Sequence, residues 1–206
     1  MTTNLSIRKY IKTFDRPVDS SSWTIFRDIP SSSKIFTPNR ADHEDNLEVS
    51  ENTVVGPYSS KEDYLERHYS LLREDAVAPL RDVVSEVQMY PRLMESESEN
   101  CAHVYEKVFI MGFTFANAGI AARITLSLRR SGKKVNWEQS KRLLTGAIVA
   151  LTPVNDMFKS ICHVTFIAAR PLSGLQRNPP EIDIFSRATD EIDIDPHQEW
   201  VMVESK

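Results

Sequence analysis

The chain has 206 residues, of which 41% are hydrophobic and 26% are charged, and its net charge is −4. A chain of this size can bury the core of one ordinary domain and carry an appendage as well. The acidic total excludes a protein that is basic throughout, and the lack of any apolar run approaching 18 residues predicts no membrane insertion.

The first region, residues 1–57, is predicted to be a short helix followed by an extended segment that wraps over a folded body. Apolar residues recur at helical spacing between Asn4 and Phe14. The following stretch is rich in Ser, Asp, Asn and Pro, which is typical of a segment without a core of its own. Its apolar anchors are candidate partner contacts: Trp23, Phe26, Ile35 and Phe36.

The second region, residues 58–95, contains the longest helical pattern in the sequence, and we call this predicted helix the strut. Apolar residues recur there in steps of three and four, which places them on one stripe of a helix: Leu65, Tyr69, Leu72, Ala76, Leu80, Val83 and Val87. Ser59 and Ser60 are followed three residues later by acids, as in a capping box. Pro79 interrupts the pattern and is expected to kink the axis. Leu65 and Leu72 are further candidate contacts for a partner.

The third region, residues 100–206, has the period of β-structure. Strands are predicted at 104–115, 120–128, 141–152, 161–169, 182–185 and 199–203, with a turn at 117–119. Six or seven strands in about 100 residues favour a small closed antiparallel barrel, which also removes exposed sheet edges. The predicted fold class is therefore α+β, mainly β: a small barrel preceded by a long stalk helix and an extended N-terminal segment.

No catalytic or metal motif can be recognised in the sequence. The phosphate-binding signature GxxxxGK[ST] and a DExx box are both missing, and the five histidines show no pairing at metal-ligand spacing. Acidic pairs at period two, Glu181/Asp183 and Asp193/Asp195, would share a strand face. A solvated face explains them better than a magnesium site. We therefore predict no catalytic residue, no metal and no cofactor in this chain.

The two cysteines, Cys101 and Cys162, form no CxxC motif. This usage indicates reduced thiols, and no secretory signal pattern is present. We therefore expect a cytoplasmic or nuclear protein.

Charge is distributed unevenly along the third region. Between His103 and Arg142, eight Lys or Arg residues stand against two acids, whereas eight acids and two basic residues follow between Glu181 and Lys206. The basic residues surround one predicted hairpin and provide candidate RNA contacts: Arg123, Arg129, Arg130, Lys133, Lys134, Trp137, Lys141 and Arg142. Cations on a turn can clamp phosphates, and Trp137 can stack on a base. A solvent-exposed turn with a core tryptophan remains the alternative.

Three segments together resemble one family. They are YLERHYSLLREDAVAPLRDVV (64–84), WEQSKRLLTGAIVALTP (137–153) and FIAARPLSGLQRNPPEIDIF (166–185). In this order and spacing they resemble the region just before the helicase core of NFX-type zinc-finger-containing RNA helicases, in the Upf-like branch of superfamily 1. The resemblance covers roughly residues 23–185.

The resemblance implies a non-catalytic stalk and accessory barrel of an RNA helicase that acts in RNA silencing. Implied partners are RNA, the helicase core of the same polypeptide, and RNA-dependent RNA polymerases or other silencing proteins. ATP and magnesium are expected only for the core of a parent helicase, since no P-loop or DExx box is present here. The competing interpretation is a protein-interaction module that docks a silencing factor such as an RNA-dependent RNA polymerase.

Overall fold

The computed structural model describes residues 30, 32–36, 56–116, 119–132, 134–186 and 197–206. The predicted helix at 4–14, the anchors Trp23 and Phe26, and the pair Asp193/Asp195 lie outside these residues. Among the described helices, none has the length and apolar character that crossing a bilayer requires.

The strut is a single helix, α2 (Lys61–Met89), which follows a four-residue helix, α1 (Ser32–Ile35). Ser60 caps α2, since its hydroxyl accepts a hydrogen bond from the backbone N–H of Asp63 at 3.0 Å, as the serine and acid spacing predicts. The helix continues through Pro79. Its buried residues begin at Val77, so the buried apolar contacts of the strut lie in the second half of the helix.

Six antiparallel strands close into a barrel with the order β1-β2-β5-β4-β3-β6, which confirms the predicted fold class. The third helix, α3 (Leu172–Leu175), is short and precedes β5. The strands are β1 (His103–Ala116), β2 (Gly119–Ser127), β3 (Ile148–Pro153), β4 (His163–Ala169), β5 (Glu181–Ser186) and β6 (Trp200–Glu204).

The prediction that the basic residues surround one hairpin is wrong. β2 pairs with β1 and β5, whereas β3 pairs with β4 and β6, so the segment between them joins strands that are not neighbours. We call residues 128–147 the crossing segment. It begins with a 3-10 turn (Arg129–Ser131), and the strand predicted from residue 141 starts only at Ile148. Leu143 lies in the barrel core instead, fully buried.

Among the described residues, the alternation of side chains along the strands produces two large apolar cores and a small third cluster of Ala121, Phe166 and Phe185. All six strands contribute to the inner core, which fills the barrel. The outer core lies between the barrel and the helices and includes Leu80, Val83 and Val87 of α2 together with Ile35 and Phe36. Because α2 contacts β3 and β6, the strands across the barrel from it, β2 and β5, present their outer face away from the strut.

A segment that we call the neck (residues 90–102) joins the strut to β1. The sequence indicates only a linker there, but the neck is tied by hydrogen bonds to a buried carboxylate. Glu86 of α2 accepts from the Ser98 hydroxyl and from the Glu99 N–H, both at 2.7 Å. These bonds fix the direction in which the chain leaves the strut.

Candidate nucleic-acid interface

Two of the predicted RNA-contacting cations are directed inward. Arg130 is buried, and its guanidinium pairs with Glu106 and donates to the Leu93 carbonyl at 3.4 Å. Arg142 pairs with Glu95 of the neck, and both partners are largely buried. Buried cations with carboxylate partners hold the structure together and are not accessible to phosphates.

The pKa of Glu95 shows how closely this pair is held. Burial alone would raise the pKa of its carboxyl, but hydrogen bonds from His103 and Arg142 lower it below the ordinary value. The His103 Nδ1 lies 3.3 Å from Glu95 Oε2, and the Val104 N–H donates to Oε1 at 3.2 Å. Glu95 is therefore an ionised centre that joins the neck, β1 and the crossing segment.

Arg123 lies on the outer face of the barrel, on the side opposite the strut. Its guanidinium makes two bonds to Asp183 of β5, at 2.8 Å and 3.2 Å, and its side chain is 41% exposed. Hydrogen bonding to Asp183 raises the pKa of Arg123. A nearby phosphate would meet a cation whose charge is already partly balanced.

The remaining predicted RNA contacts separate into three positions. Arg129, Lys134 and Lys141 are exposed on the crossing segment. Lys133 lies outside the described residues. Trp137 is half-buried, since its side chain packs against the inner core while it also lines an open groove. Its backbone carbonyl accepts from Arg170 at 2.8 Å, which fixes the local chain.

The groove beside Trp137 has a volume of about 1010 Å³ and lies between three parts of the chain. Its floor is the adjoining part of β1 and β2. One wall is residues 134–138 of the crossing segment, and the other is residues 175–180, which precede β5. Besides Lys134 and Trp137, it is lined by residues that the sequence did not single out: Lys107, Phe109, Asn136, Gln176, Arg177 and Asn178.

Lys107 reaches this groove because β1 is irregular there. The registers of β1 with both β2 and β6 shift around this residue, and its φ of 49° lies in the left-handed region. A bulge redirects a side chain, and a non-glycine residue with this φ is uncommon. Nothing in the alternation of the sequence around Lys107 indicates such a bulge.

The predicted partner contacts are divided between the interior and the surface. Ile35 and Phe36 are buried in the outer core against the strut. Leu65 is half-buried, whereas Leu72 is 70% exposed. Trp23 and Phe26 are outside the described residues. A further apolar surface, which the sequence did not predict, lies on the β1–β2 hairpin, where Phe115 is 89% exposed opposite Ile120.

A metal site finds no support in the acidic pair that the structure describes. Asp183 pairs with Arg123, and Glu181 pairs with Arg177 at 2.6 Å. Among the described residues, no group of three or more His, Cys, Asp or Glu side chains is arranged to hold a metal ion.

Comparison with known protein families identifies the family to which this barrel belongs. The family model described as the ZNFX1 domain matches residues 97–206, which include all six strands. The chain therefore belongs to the ZNFX1 domain family, and the resemblance to NFX-type helicases predicted from the three sequence segments is confirmed.

The curated relatives are much longer proteins. The chain is 38% identical over 187 residues to the helicase required for RNAi-mediated heterochromatin assembly 1 of Schizosaccharomyces pombe, covering 91% of this chain and 17% of that protein. It is 27% identical to the NFX1-type zinc finger-containing protein 1 of Mus musculus over 164 residues, covering 75% of this chain and 8% of the relative. The human protein of that name is also 27% identical, over 158 residues. No solved structure matches the chain.

Proposed function

We propose that this chain is a non-catalytic accessory region of an RNA helicase acting in RNA silencing, and that its barrel contacts RNA through the groove beside Trp137. The observation that carries the proposal is the groove beside Trp137, where basic and aromatic side chains line one open surface. The similarity to a helicase named for RNAi-mediated heterochromatin assembly supports the proposed role in RNA silencing. ATP and magnesium would serve the core of the parent helicase.

The local charge of the groove favours a polyanion although the chain as a whole is acidic. Lys107, Lys134 and Arg177 line it, against one lining acid, Glu138. Arg177 is 60% exposed while it pairs with Glu181. Three phosphate contacts predict a salt dependence with a logarithmic slope of about −2 on single-stranded RNA. Contacts of this number support modest affinity, as suits a surface that works beside a motor domain.

The neck suits the chain to a supporting role in such a machine. Glu86 ties the strut to the neck, and Glu95 ties the neck to the barrel through Arg142. The strut and barrel therefore form one unit with a set geometry. The strut stripe before Val77, with Leu72 exposed, is the surface we assign to the helicase core of the same polypeptide.

Charge reversal tests the RNA contact. The double variant Lys107→Glu/Lys134→Glu should weaken binding of a fluorescein-labelled 12-nucleotide single-stranded RNA by at least about tenfold and reduce the salt slope. The matched control, Lys61→Glu/Lys159→Glu, changes the net charge equally at exposed sites that do not line the groove. Equal weakening by both variants would show a diffuse charge effect and contradict the assignment. Arg130 is left intact because a carboxylate there would face Glu106.

A second candidate function is a docking module for a silencing factor such as an RNA-dependent RNA polymerase. The exposed apolar hairpin favours it, because Met111, Phe113, Phe115 and Ile120 are each at least 44% exposed. Surface apolar residues grouped in this way mark interaction sites. In a pull-down with a purified polymerase, Phe113→Ser/Phe115→Ser should abolish capture. Capture that is unaffected by these substitutions would remove the hairpin from consideration.

A further inference from the structure

The groove beside Trp137 combines three kinds of side chain that recognise different parts of a nucleotide. Trp137 and Phe109 supply half-buried rings, Asn136 and Asn178 supply exposed amides, and Lys107 is one of the cations. We propose that the groove binds an unstacked base of a single-stranded RNA and reads its edge. This inference rests on the proposed RNA contact and adds to it the part of the RNA that is recognised.

The aromatic part of the argument concerns the position of Trp137. A tryptophan that served only the core would be buried like Trp200, which is 4% exposed. Trp137 instead packs against the inner core while lining the groove, and the bond from Arg170 to its carbonyl holds it there. A ring that packs against the core and also lines an open groove provides a surface on which a base can stack. Phe109 lines the same groove from β1.

The amide groups lie on the two walls of the groove. Asn136 belongs to the wall at 134–138 and Asn178 to the wall at 175–180, and both are exposed. The Asn136 Oδ1 accepts a hydrogen bond from the backbone N–H of Glu138 at 3.2 Å, so the amide NH₂ is the donor that this side chain can offer to a ligand. A donor in this position favours bases with carbonyl oxygens on their edge, such as uracil and guanine. The Asn178 amide can donate or accept from the opposite wall.

The cations are placed for the backbone on either side of such a base. Lys107 approaches from the floor strand and Lys134 from the end of the first wall. A base between them would have its flanking phosphates within the field of both ammonium groups. Phosphate contacts position the strand, and contacts to the base carry sequence information.

An abasic strand separates base recognition from attraction of phosphates. The full chain is titrated with a labelled 12-nucleotide oligouridylate and with an abasic RNA strand of equal length and charge. We expect the abasic strand to bind about tenfold more weakly, because stacking on an aromatic side chain contributes a factor of this order per base. Trp137→Ala should weaken oligouridylate binding to the abasic level, whereas Trp137→Phe should retain most of the affinity. Thermal unfolding of each variant checks that Trp137→Ala still folds.

Edge reading is tested with four homopolymers. The wild-type chain should bind oligouridylate or oligoguanylate more tightly than the other homopolymers. Asn136→Ala should reduce the differences in affinity among the four homopolymers. The matched control Asn155→Ala, at an exposed site in the β3–β4 loop, should leave these differences unchanged. Equal binding of oligouridylate and abasic RNA would overturn the base pocket and leave the proposed RNA contact standing. Failure of every RNA to bind would overturn both the base pocket and the proposed RNA contact.

Discussion

Arg142 and Glu95 form an ion pair with two bonds, Nη1–Oε1 at 2.9 Å and Nη2–Oε2 at 2.6 Å, which fastens the crossing segment to the neck. Both side chains are less than one-fifth exposed. Removing the charge of one partner leaves the other buried without compensation, which costs about 3 kcal/mol. Glu95→Gln should therefore lower the free energy of unfolding by that amount, measured by urea denaturation. The exposed Glu99→Gln should change it by less than about 0.5 kcal/mol.

The same pair predicts how stability depends on pH. The pKa of Glu95 in the folded chain is lowered, so its contribution is present above the unfolded value near 4.5 and is lost as the pH falls below it. In Glu95→Gln, the fall of the unfolding free energy with acidification should be shallower than in wild type. If the unfolding free energies of the two proteins fell equally with acidification, Glu95 would not be the group responsible.

The pKa of Glu204 is shifted in the opposite direction from that of Glu95. Burial raises the pKa of its carboxyl, although Tyr105 and the Leu143 N–H donate to it at 2.9 Å and 2.8 Å. The protonated form is therefore favoured in the folded chain, and the stability it contributes is lost as the pH rises from about 4.5 through the raised value. Glu204→Gln should gain stability relative to wild type as the pH increases over this window, measured by thermal unfolding. A relative loss with rising pH would contradict the sign.

Two leucines of the strut provide a matched pair for the outer core. Leu80 is 1% exposed and Leu72 is 70% exposed on the same helix. Leu80→Ala should lower the free energy of unfolding by about 2–5 kcal/mol, because it removes buried methyl groups and leaves a cavity. Leu72→Ala should leave stability within about 0.5 kcal/mol of wild type. Similar losses in the two variants would mean that the first half of the strut is also anchored.

Lys107→Gly separates function from folding at the groove. A lysine with a φ of 49° carries left-handed strain of about 1–2 kcal/mol, and a glycine removes that strain while adding about 0.5–1 kcal/mol of chain entropy. The free energy of unfolding should therefore not fall, although binding of single-stranded RNA should weaken. A loss of stability above about 1 kcal/mol would show that the lysine side chain supports the fold.

The regular elements could be predicted because their signals are local. The stripe of the strut, its Ser60 cap and the alternation of the strands are all readable within a few residues. The strand predicted from residue 141 was too long because Leu143 is apolar for another reason: it enters the barrel core outside any strand. Local pattern does not distinguish the two situations.

The site was harder to predict because it depends on contacts between distant residues. Arg130 and Arg142 look like surface cations in the sequence, and only the barrel brings Glu106 and Glu95 against them. The groove likewise joins Lys107 to Asn178, and no spacing in the sequence relates these residues. Lys134 and Trp137 were the two groove residues that the sequence indicated.

The confinement of the strut's buried residues to Val77 and the positions after it allows the helix to act as a lever arm. Residues 61–76 precede the first buried position, and as a helix they extend for about 24 Å. A tilt of about 10° at the anchored half would move the far tip by about 4 Å, given that length. Displacements at the barrel surface would therefore reach the Lys61 end enlarged, and forces applied at that end would return to the barrel with mechanical advantage.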